Sequence, residues 1–341
     1  MPQRLRPAGD LSGNEFELSV TARQPLMARA AFIAGDWGTS QLRLYLCDAA
    51  NNVLETRLAR GAAAARGEHE KVLDGEIAAW ETSAGPLPIL LCGMIGSSIG
   101  WVQAPYLAAP ADPQGLAAAC VSLRGGRVLI VPGVSCRNRL AAPDVMRGEE
   151  TQILGALKLD PRLGSGQHLL CLPGTHTKWV VVRDGAIVEF LTAPTGELFE
   201  LLSKHSVMVR DGADERAMND AAFEAGLERL RAQPGVELLH RIFEVRSRRL
   251  LALMPPEDAA SYMSGLLIGS DVAGAVRVFA EEIRDKPVYL IAAPGLVHAY
   301  STALRAFGLA PVSLDGGSAS LAGLGEIFRL SQPGGAQRAT G

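Results

Sequence analysis

The fold is indicated most clearly by the segment Ala31–Ala49, which reads AFIAGDWGTSQLRLYLCDA. Two apolar runs, Phe32–Gly35 and Leu42–Cys47, flank a turn that carries an acid, a glycine and two hydroxyl side chains. Short β-prone runs on both sides of such a turn predict a hairpin. A third run, Val53–Leu58, follows a second turn and can return as a third strand.

A similar unit begins at His168 with HLLCLPGTHTKWVVVRDGAIVEFLT. Both units open with an apolar strand that runs into a Gly-Thr turn, GDWGTS in the first and PGTHTKW in the second. The segment Arg183–Gly185 contains an Asp-Gly pair, which is typical of a hairpin tip. Each unit is followed by helix-like segments, so the sequence predicts a duplicated α/β fold with two related domains that face each other across a cleft.

Five longer segments complete the predicted pattern. Apolar spacing and helix-dipole arguments predict helices in GEHEKVLDGEIAAW (67–80) and VMRGEETQILGALKL (145–159), mostly helical structure over 197–254, and helices in SYMSGLLIGSDVAGAVRVF (261–279) and SASLAGLGEIFRL (318–330). The predicted organisation is a disordered leader at 1–30, an N-terminal domain at 31–160, a C-terminal domain at 161–332 and a tail at 333–341.

Composition excludes several classes of protein. The chain has 341 residues, of which 48% are hydrophobic and 20% charged, with a net charge of −3 and a pI near 6.1. This balance lacks the basic footprint of a nucleic-acid-binding protein, and no apolar run approaches the roughly 20 residues of a membrane helix. The five cysteines are widely spaced and form no CxxC pair, which favours a reducing cytoplasm over a disulfide framework or a zinc site.

The two turns have the chemistry of phosphate-binding loops. Gly38 allows close approach of the backbone to a ligand, and Thr39 and Ser40 offer hydroxyl donors. Asp36 is better suited to Mg²⁺, which prefers oxygen ligands. The second turn, Gly174–Lys178, adds further donors and one positive charge. The alternative is an ordinary hairpin turn, and the sequence contains neither a P-loop nor a G-x-G-x-x-G motif.

Longer motifs point to one family. In order along the chain stand DWGTSQLR, GMIGSSIGWVQAPYL, VMRGEETQILGA, PGTHTKWV, TGEL, IFEVRS and SGLLIGSDV. Together they resemble the 2-keto-3-deoxygalactonate kinase (2-dehydro-3-deoxygalactonokinase) family over about Phe32 to Leu330. The resemblance implies two ribonuclease-H-like domains of the actin, hexokinase and sugar-kinase superfamily. It also implies ATP-dependent phosphorylation of 2-dehydro-3-deoxy-D-galactonate at its 6-hydroxyl, giving the 6-phosphate and ADP in galactonate catabolism.

The resemblance assigns roles motif by motif. It places the first phosphate motif at Asp36, Gly38, Thr39 and Ser40, and the second at Gly174, Thr175 and Thr177, with Lys178 beside it. The adenosine motif of the superfamily is rich in glycine and lies near the C-terminus. IAAPGLVHAY stands there with Gly295 as its only glycine, which departs from the multi-glycine form.

Phosphoryl transfer needs a base for the hydroxyl proton. In the superfamily this base is a carboxylate upstream of the second phosphate motif, where this chain has Glu149 and Glu150. Adjacent residues on a helix point about 100° apart, so only one of them can face the hydroxyl. The resemblance favours Glu149 as the base, because its distance to Gly155 better matches the acid-to-glycine helix of the superfamily, and it leaves Glu150 as a metal ligand or supporting group. Either residue could instead be an acid that stabilises the first turn of a helix.

The substrate carboxylate calls for a guanidinium partner. We expect Arg147 in this role, with Arg43 as the alternative, and Arg43 could equally pair with a surface acid. Ser97, Ser98 and the Trp101 ring, from the glycine-rich GMIGSSIGW, are expected to contact the sugar acid. The competing interpretation of that segment is a close-packed corner between a strand and a helix.

Two other functions stay open at this stage. The same fold could serve as a non-catalytic nucleotide-binding protein, although pure binding needs no base. It could also phosphorylate another sugar or sugar acid. The expected partners are small molecules, ATP with Mg²⁺ and a sugar acid, with no nucleic acid or membrane. A homodimer is compatible with the sequence.

Overall fold

The computed structural model describes residues 28–209 and 218–332. Contacts divide the described residues into two compact units, one formed by 28–103 with 121–130 and the other by 104–120 with 131–209 and 218–332. The predicted tail and nearly all of the predicted leader lie outside the described residues. Among those described, no helix is long and apolar enough to cross a membrane.

The described chain contains fourteen strands and nine α-helices. The strands are β1 Ala30–Trp37, β2 Gln41–Asp48, β3 Val53–Arg60, β4 Ile89–Gly93, β5 Tyr106–Ala108, β6 Val121–Leu123, β7 Val128–Ile130, β8 Gly133–Arg137, β9 Pro143–Met146, β10 Gln167–Leu172, β11 Thr177–Arg183, β12 Ala186–Ala193, β13 Val288–Ala292 and β14 Pro311–Asp315. The helices are α1 His69–Ala84, α2 Pro113–Ala118, α3 Glu149–Leu159, α4 Thr195–His205, α5 Asp220–Ala232, α6 Glu244–Leu250, α7 Ala259–Val278, α8 Pro294–Ala306 and α9 Gly316–Ser331.

The first unit is built on a six-stranded sheet in the order β3-β2-β1-β4-β7-β6. β1 pairs antiparallel with β2 and parallel with β4, so it lies in the middle of the sheet. Its near-continuous burial follows from this central position, and Ile33, Ala34 and Trp37 are fully buried. The edge strand β3 alternates exposed and half-buried residues instead. The predicted three-strand unit is therefore confirmed, although β1 extends two residues further at each end than predicted and β2 and β3 are each two residues longer.

The second unit repeats this arrangement in a five-stranded sheet ordered β12-β11-β10-β13-β14. Its first strand, β10, again pairs antiparallel with the next strand and parallel with the fourth. The predicted tip between β11 and β12 is present, with positive φ at Asp184 and Gly185. The duplication inferred from the Gly-Thr turns is thus confirmed at the level of topology. Both sheets have the ribonuclease-H-like order that the sequence resemblance implies.

Two features differ from the sequence prediction. The segment predicted as a helix from Val145 begins as strand β9, because Gly148 adopts φ 105° and the helix starts only at Glu149. A third sheet, β5-β8-β9, was not predicted. It belongs to the second unit, as does α3, while the domain boundary predicted after residue 160 stays a prediction. None of the five cysteines, all of which lie in the described residues, forms a disulfide bond.

Two glycines shape the packing of the second unit. α3 crosses α9 at Gly155 and Gly323, where a Cβ on Gly155 would overlap the Ala319 carbonyl and one on Gly323 would overlap the Thr151 carbonyl. The backbones of the two helices therefore touch directly. This contact fixes the position of α3, the helix that begins with Glu149 and Glu150.

Candidate active site

The first Gly-Thr turn lies at the end of β1 and is braced from behind. Gly38 N–H donates to the Gln41 carbonyl at 2.9 Å, which closes the turn. The carbonyls of residues 38–40 accept from the N–H groups of residues 61–63 at 2.9–3.2 Å. A Cβ on Gly61 would overlap the backbone of residues 39–41, so only glycine permits this support. Gly61 is a residue that the sequence analysis missed.

This bracing leaves donors on the outer side of the turn. Thr39 and Ser40 are exposed. Within the described part of the chain, neither their N–H groups nor their hydroxyls donate to a protein acceptor. Because the carbonyls of residues 38–40 are occupied from behind, the outer face of the turn presents the N–H groups and hydroxyls of Thr39 and Ser40. That is the arrangement that binds a phosphate oxygen.

Asp36 lies one residue before the end of β1 and faces Arg43 across the β1–β2 ladder. Their charged groups are 3.8 Å apart, and half of the Arg43 side chain is exposed. The structure therefore shows Arg43 beside the predicted metal ligand, which is the surface-pair alternative considered for it. The thiol of Cys92, on the parallel neighbour β4, lies 4.0 Å from Asp36 Oδ1.

The second Gly-Thr turn joins β10 to β11 and is braced in the same manner. A Cβ on Gly196, at the start of α4, would overlap the Gly174 carbonyl. Glu197 N–H donates to the Thr175 carbonyl at 2.9 Å. His176 is exposed and its Nε2 lies 2.8 Å from Glu197 Oε2, so it fixes the turn to α4. Thr175 is also exposed.

The two residues that follow this turn point inward. Thr177 is fully buried, and its hydroxyl lies 2.7 Å from the Tyr300 hydroxyl. Its side chain is thus not on the surface that a phosphate would contact, unlike the direct donor that the sequence motif implied. Lys178 is 4% exposed, and its Nζ lies 4.0 Å from Glu149 Oε1.

The contact with Lys178 brings two predicted site residues together. Glu149 is the first residue of α3, and its Oε2 accepts from the Arg147 N–H at 3.0 Å. A quarter of its side chain is exposed. Burial raises the pKa of Glu149 above its ordinary value, and the nearby positive charge of Lys178 opposes that rise. A raised pKa makes a carboxylate a better proton acceptor, as a general base requires, and this carboxylate lies next to the second turn.

Glu150 has a different environment from Glu149. It is fully buried, and its oxygens accept from the Gly148 N–H at 2.6 Å and from the Thr151 hydroxyl at 3.0 Å. Burial, together with the charge of Glu149, raises its pKa to about 8. Both oxygens therefore accept hydrogen bonds from groups at the start of α3. This geometry does not fit the predicted role of Glu150 as a metal ligand.

Arg147 has donors that the protein leaves unused. Its Nη2 donates to the Ala104 carbonyl at 2.8 Å, and its guanidinium lies over the Tyr106 ring at 4.5 Å. Its Nε and Nη1 atoms are buried and have no hydrogen-bond partner in the described protein. An unpaired buried donor is costly, so an arriving carboxylate would find a preoriented guanidinium two residues from Glu149.

The glycine-rich segment after β4 contains an exposed side chain that could contact a ligand and also a close-packed corner. The Ser97 hydroxyl donates to the Met94 carbonyl at 2.7 Å, and Ser98 is exposed. A Cβ on Gly100 would overlap the Ile95 carbonyl, so the corner is closely packed. The Trp101 ring lies 5.0 Å from the Arg124 guanidinium. Ser98 is thus the residue of this segment whose side chain faces outward.

Gly295 lies in the first turn of α8, directly after β13. It is exposed, and a Cβ at this position would have no protein atom within 4 Å. Packing inside the described protein therefore does not require glycine here. The open space is compatible with a bound nucleotide at this turn.

The acids of the described residues do not form a metal cluster. Within 28–209 and 218–332, no group of three or more His, Cys, Asp and Glu side chains could hold a metal ion. Mg²⁺ commonly uses one or two protein carboxylates together with substrate phosphates and waters. Asp36 alone, next to a turn rich in outward donors, fits that chemistry.

The sequence analysis also missed a carboxylate behind the second turn. Asp271 Oδ1 accepts from Trp179 Nε1 at 2.7 Å, and Oδ2 accepts from the Thr195 and Tyr300 hydroxyls at 2.8 and 3.0 Å. A signal was present, because Asp271 is the only acid in the twenty-residue helix α7. A single acid in an otherwise apolar and small-residue helix indicates a bonded interior carboxylate.

Comparison with known proteins agrees with this geometry. The family model for 2-keto-3-deoxy-galactonokinase matches residues 36–327, from the predicted metal ligand into α9. The chain belongs to the 2-keto-3-deoxy-galactonokinase family. The match spans both turns, the start of α3 and the turn at Gly295, so every predicted site residue lies within the family region.

Relatives of the family match over nearly their whole length. A Rhizobium meliloti (strain 1021) protein assigned as a 2-dehydro-3-deoxygalactonokinase is 38% identical over 308 residues, covering 89% of this chain and 98% of the relative. The 2-dehydro-3-deoxygalactonokinase of Escherichia coli (strain K12) is 35% identical over 300 residues, covering 87% and 97%. This kinase chain therefore aligns with nearly the whole length of both relatives.

A crystal structure supports the same family at the level of fold. A Sinorhizobium meliloti protein assigned to the 2-dehydro-3-deoxygalactonokinases superposes with a TM-score of 0.80 at 37% identity, covering 89% of this chain and 99% of that chain. The fold described above is therefore that of a sugar-acid kinase family, and both repeated sheets belong to it.

Proposed function

We propose that this protein transfers the γ-phosphoryl group of ATP to the 6-hydroxyl of 2-dehydro-3-deoxy-D-galactonate, giving 2-dehydro-3-deoxy-6-phosphogalactonate and ADP in galactonate catabolism. The observation that carries the proposal is the position of Glu149. Its carboxylate lies 4.0 Å from Lys178, the residue two positions after the second Gly-Thr turn. Family membership supplies the substrate class, and this contact supplies a base beside a phosphate-binding turn.

Within each unit, the Gly-Thr turn is assigned to phosphate contacts, and in the second unit α8 is assigned to the adenosine. In the first turn, Thr39 and Ser40 donate to phosphate oxygens, while the Gly38 N–H closes the turn by donating to the Gln41 carbonyl. In the second turn, the donors are the N–H groups of Gly174 and Thr175 and the Thr175 hydroxyl. Asp36 would hold Mg²⁺, which when bound neutralises phosphate charge. Gly295 leaves space for the adenosine. Thr177 belongs to the buried network behind the second turn.

The chemical step is a proton transfer coupled to phosphoryl transfer. Glu149 accepts the proton of the 6-hydroxyl as that oxygen bonds to the γ-phosphorus, and the bond to the bridging oxygen of ADP breaks. A glutamate with a raised pKa binds that proton more strongly than an ordinary carboxylate. Lys178 keeps the group ionised before the step and adds positive charge next to the transferring phosphoryl group.

The substrate carboxylate is assigned to Arg147. Its unpaired Nε and Nη1 and its fixed position over Tyr106 make it a preoriented donor. Ser98 and the Trp101 ring are assigned to contacts with the rest of the sugar acid, and Ser97 to the shape of their turn. Arg43 is assigned to the charge balance of Asp36.

The test is an acceptor screen with Mg-ATP on wild type, Glu149→Gln and Glu150→Gln. We expect 2-dehydro-3-deoxy-D-galactonate to stimulate ADP formation far more than hexoses or other sugar acids. Loss of a general base typically lowers kcat by about 10²–10⁴-fold, so Glu149→Gln should lose that much while ADP affinity stays near wild type. Glu150→Gln should retain most activity, because glutamine can keep both of its bonds.

Three outcomes would contradict the proposal. Nucleotide binding with no acceptor-stimulated turnover would indicate a binding protein without this chemistry. Stronger stimulation by another hydroxyl compound would reassign the substrate. Loss of kcat in Glu150→Gln, with full activity in Glu149→Gln, would exchange the roles of the two glutamates.

A further inference from the structure

The carboxylate of Asp271 has no part in the reaction proposed above, yet three donors converge on it. Trp179 Nε1 donates to Oδ1 at 2.7 Å, and the hydroxyls of Thr195 and Tyr300 donate to Oδ2 at 2.8 and 3.0 Å. The three donors come from β11, α4 and α8, and Asp271 itself lies on α7. One carboxylate therefore connects four elements of the second unit.

Only an acceptor fits both oxygen positions. An indole N–H can donate but not accept, so the atom facing Trp179 must be an acceptor. The Tyr300 hydroxyl donates to Asp271, which leaves the Thr177 hydroxyl to donate to the Tyr300 oxygen at 2.7 Å. An ionised carboxylate satisfies this set, whereas an asparagine would present an NH₂ group to at least one donor.

Two routes lead from this carboxylate to the phosphate turn at residues 173–176. Through Tyr300 it reaches Thr177, the residue directly after the turn. Through Thr195 it reaches the start of α4, where Gly196 lies against the Gly174 carbonyl and the next N–H donates to the Thr175 carbonyl at 2.9 Å. The turn is thus anchored to Asp271 from both of its sides.

We propose that Asp271 is a positioning residue that holds the 173–176 turn in its nucleotide-binding conformation and fixes that turn relative to α8. This inference rests on the proposed function, because it takes the turn to be a phosphate site. Tyr300 is the link to α8, the helix that begins next to Gly295. The Asp271 network therefore connects the proposed phosphate and adenosine contacts without touching the nucleotide.

The second unit offers a matched control. Tyr262 is as buried as Tyr300, at 2% exposure for each, and its hydroxyl donates to the Glu244 carboxylate at 3.1 Å. Removing the Tyr262 hydroxyl leaves the partly exposed Glu244 carboxylate short of one donor, and removing the Tyr300 hydroxyl does the same for Asp271. Only Tyr300 belongs to the network behind the turn, so a difference between the two phenylalanine variants isolates positioning from general stability.

The experiment measures ADP affinity by titration calorimetry and the KM for ATP in Tyr300→Phe, Thr195→Val, Thr195→Ser and Tyr262→Phe. We expect about tenfold weaker ADP binding, or about 1.4 kcal/mol, in Tyr300→Phe and Thr195→Val. A similar rise in the KM for ATP should accompany it, with the KM for the sugar acid within about twofold of wild type. Thr195→Ser keeps the hydroxyl and should restore affinity, and Tyr262→Phe should bind ADP like wild type.

ADP binding needs no acceptor, so the readout is independent of the substrate assignment. Wild-type ADP affinity in both Tyr300→Phe and Thr195→Val would overturn the role of Asp271, as would equal losses in Tyr262→Phe. A wild-type protein that binds ADP but phosphorylates no sugar acid would overturn the proposed function and leave the role of Asp271 to be decided by the same affinities. If Tyr300→Phe does not fold, the Thr195→Val and Thr195→Ser pair decides alone.

Discussion

At the residue scale, Glu149 and Lys178 form the central pair of the proposed mechanism. Burial raises the pKa of Glu149, and the Lys178 charge, 4.0 Å away, lowers it. A general base must be ionised to act, so the rate should fall as pH decreases through the pKa of Glu149. That acid limb should lie above the ordinary glutamate range because the net shift is upward.

Lys178→Met should move the acid limb of the pH–rate profile to still higher pH. Without the neighbouring positive charge, the pKa of Glu149 rises again, and kcat at saturating ATP should be lost at a higher pH than in wild type. The measurement is the pH profile of kcat. The control is Lys158→Met, because Lys158 is a solvent-exposed lysine on α3, the helix that begins with Glu149. An acid limb that stays in place or moves to lower pH would contradict the pairing.

Glu150 gives a prediction about stability. Its folded-state pKa is raised to about 8 from the ordinary 4.5, so the folded protein holds this proton more tightly than the unfolded chain. The contribution of this group to stability is therefore complete below pH 4.5 and is lost as pH rises towards 8. Glu150→Gln removes the ionisable proton and can keep the bonds to Gly148 and Thr151.

We expect Glu150→Gln to raise Tm by about 1–4 °C at pH 8, which corresponds to on the order of 1 kcal/mol. Its Tm at pH 5 should match wild type, because the native carboxyl is neutral there. Thermal unfolding followed by circular dichroism at both pH values is the measurement. A variant that is less stable at pH 8 than at pH 5, relative to wild type, would show that the ionised carboxylate is favoured.

At the element scale, the β1–β2 turn depends on a glycine outside it. Gly61→Ala should force the backbone of residues 39–41 away from its position, because the new Cβ overlaps it. We expect the KM for ATP to rise by at least about fivefold, or on the order of 1 kcal/mol. Gly75→Ala in α1, whose Cβ has no atom within 4 Å, is the control and should leave KM unchanged. An unaltered KM in Gly61→Ala would show that this bracing is dispensable.

The crossing of α3 and α9 is a second element-scale feature. Gly155→Ala places a methyl group against the Ala319 carbonyl, so the helices must separate, and overpacking of this kind costs about 1–3 kcal/mol. Gly274→Ala in α7 meets no atom within 4 Å and should instead stabilise by about 0.5–1 kcal/mol. Denaturant unfolding of the two variants measures whether the free energy of unfolding falls in Gly155→Ala and rises in Gly274→Ala. Equal stability would contradict the close contact.

At the scale of the whole molecule, local patterns predicted the repeated part of the fold. The strands around each Gly-Thr turn are apolar runs bounded by turn residues, and such signals are local in sequence. The third sheet was missed because β5, β8 and β9 are only three to five residues long and because β5 pairs with β8 from a distant segment of the chain. The start of α3 was placed too early because the positive φ of Gly148 is not visible in a hydrophobic pattern.

The site was predictable to a similar degree. Motif chemistry predicted Asp36 and both turns as site residues, and the family resemblance predicted the pair Glu149 and Glu150, because each of these motifs is contiguous in the sequence. The distance to Gly155 favoured Glu149 as the base over Glu150, but which of the two side chains α3 buries was visible only in the structure. Asp271 and the bracing glycines escaped because their partners lie tens of residues away and only the folded chain brings them together.

The proposed activity is tested most directly by the product. Purified protein is incubated with Mg-ATP and 2-dehydro-3-deoxy-D-galactonate, and the products are followed by phosphorus NMR and by ADP release. We predict one ADP for each molecule of sugar acid phosphorylated, with the new phosphate coupled to the protons of carbon 6. ADP released without a phosphorylated sugar acid, or phosphate on another oxygen, would contradict the account.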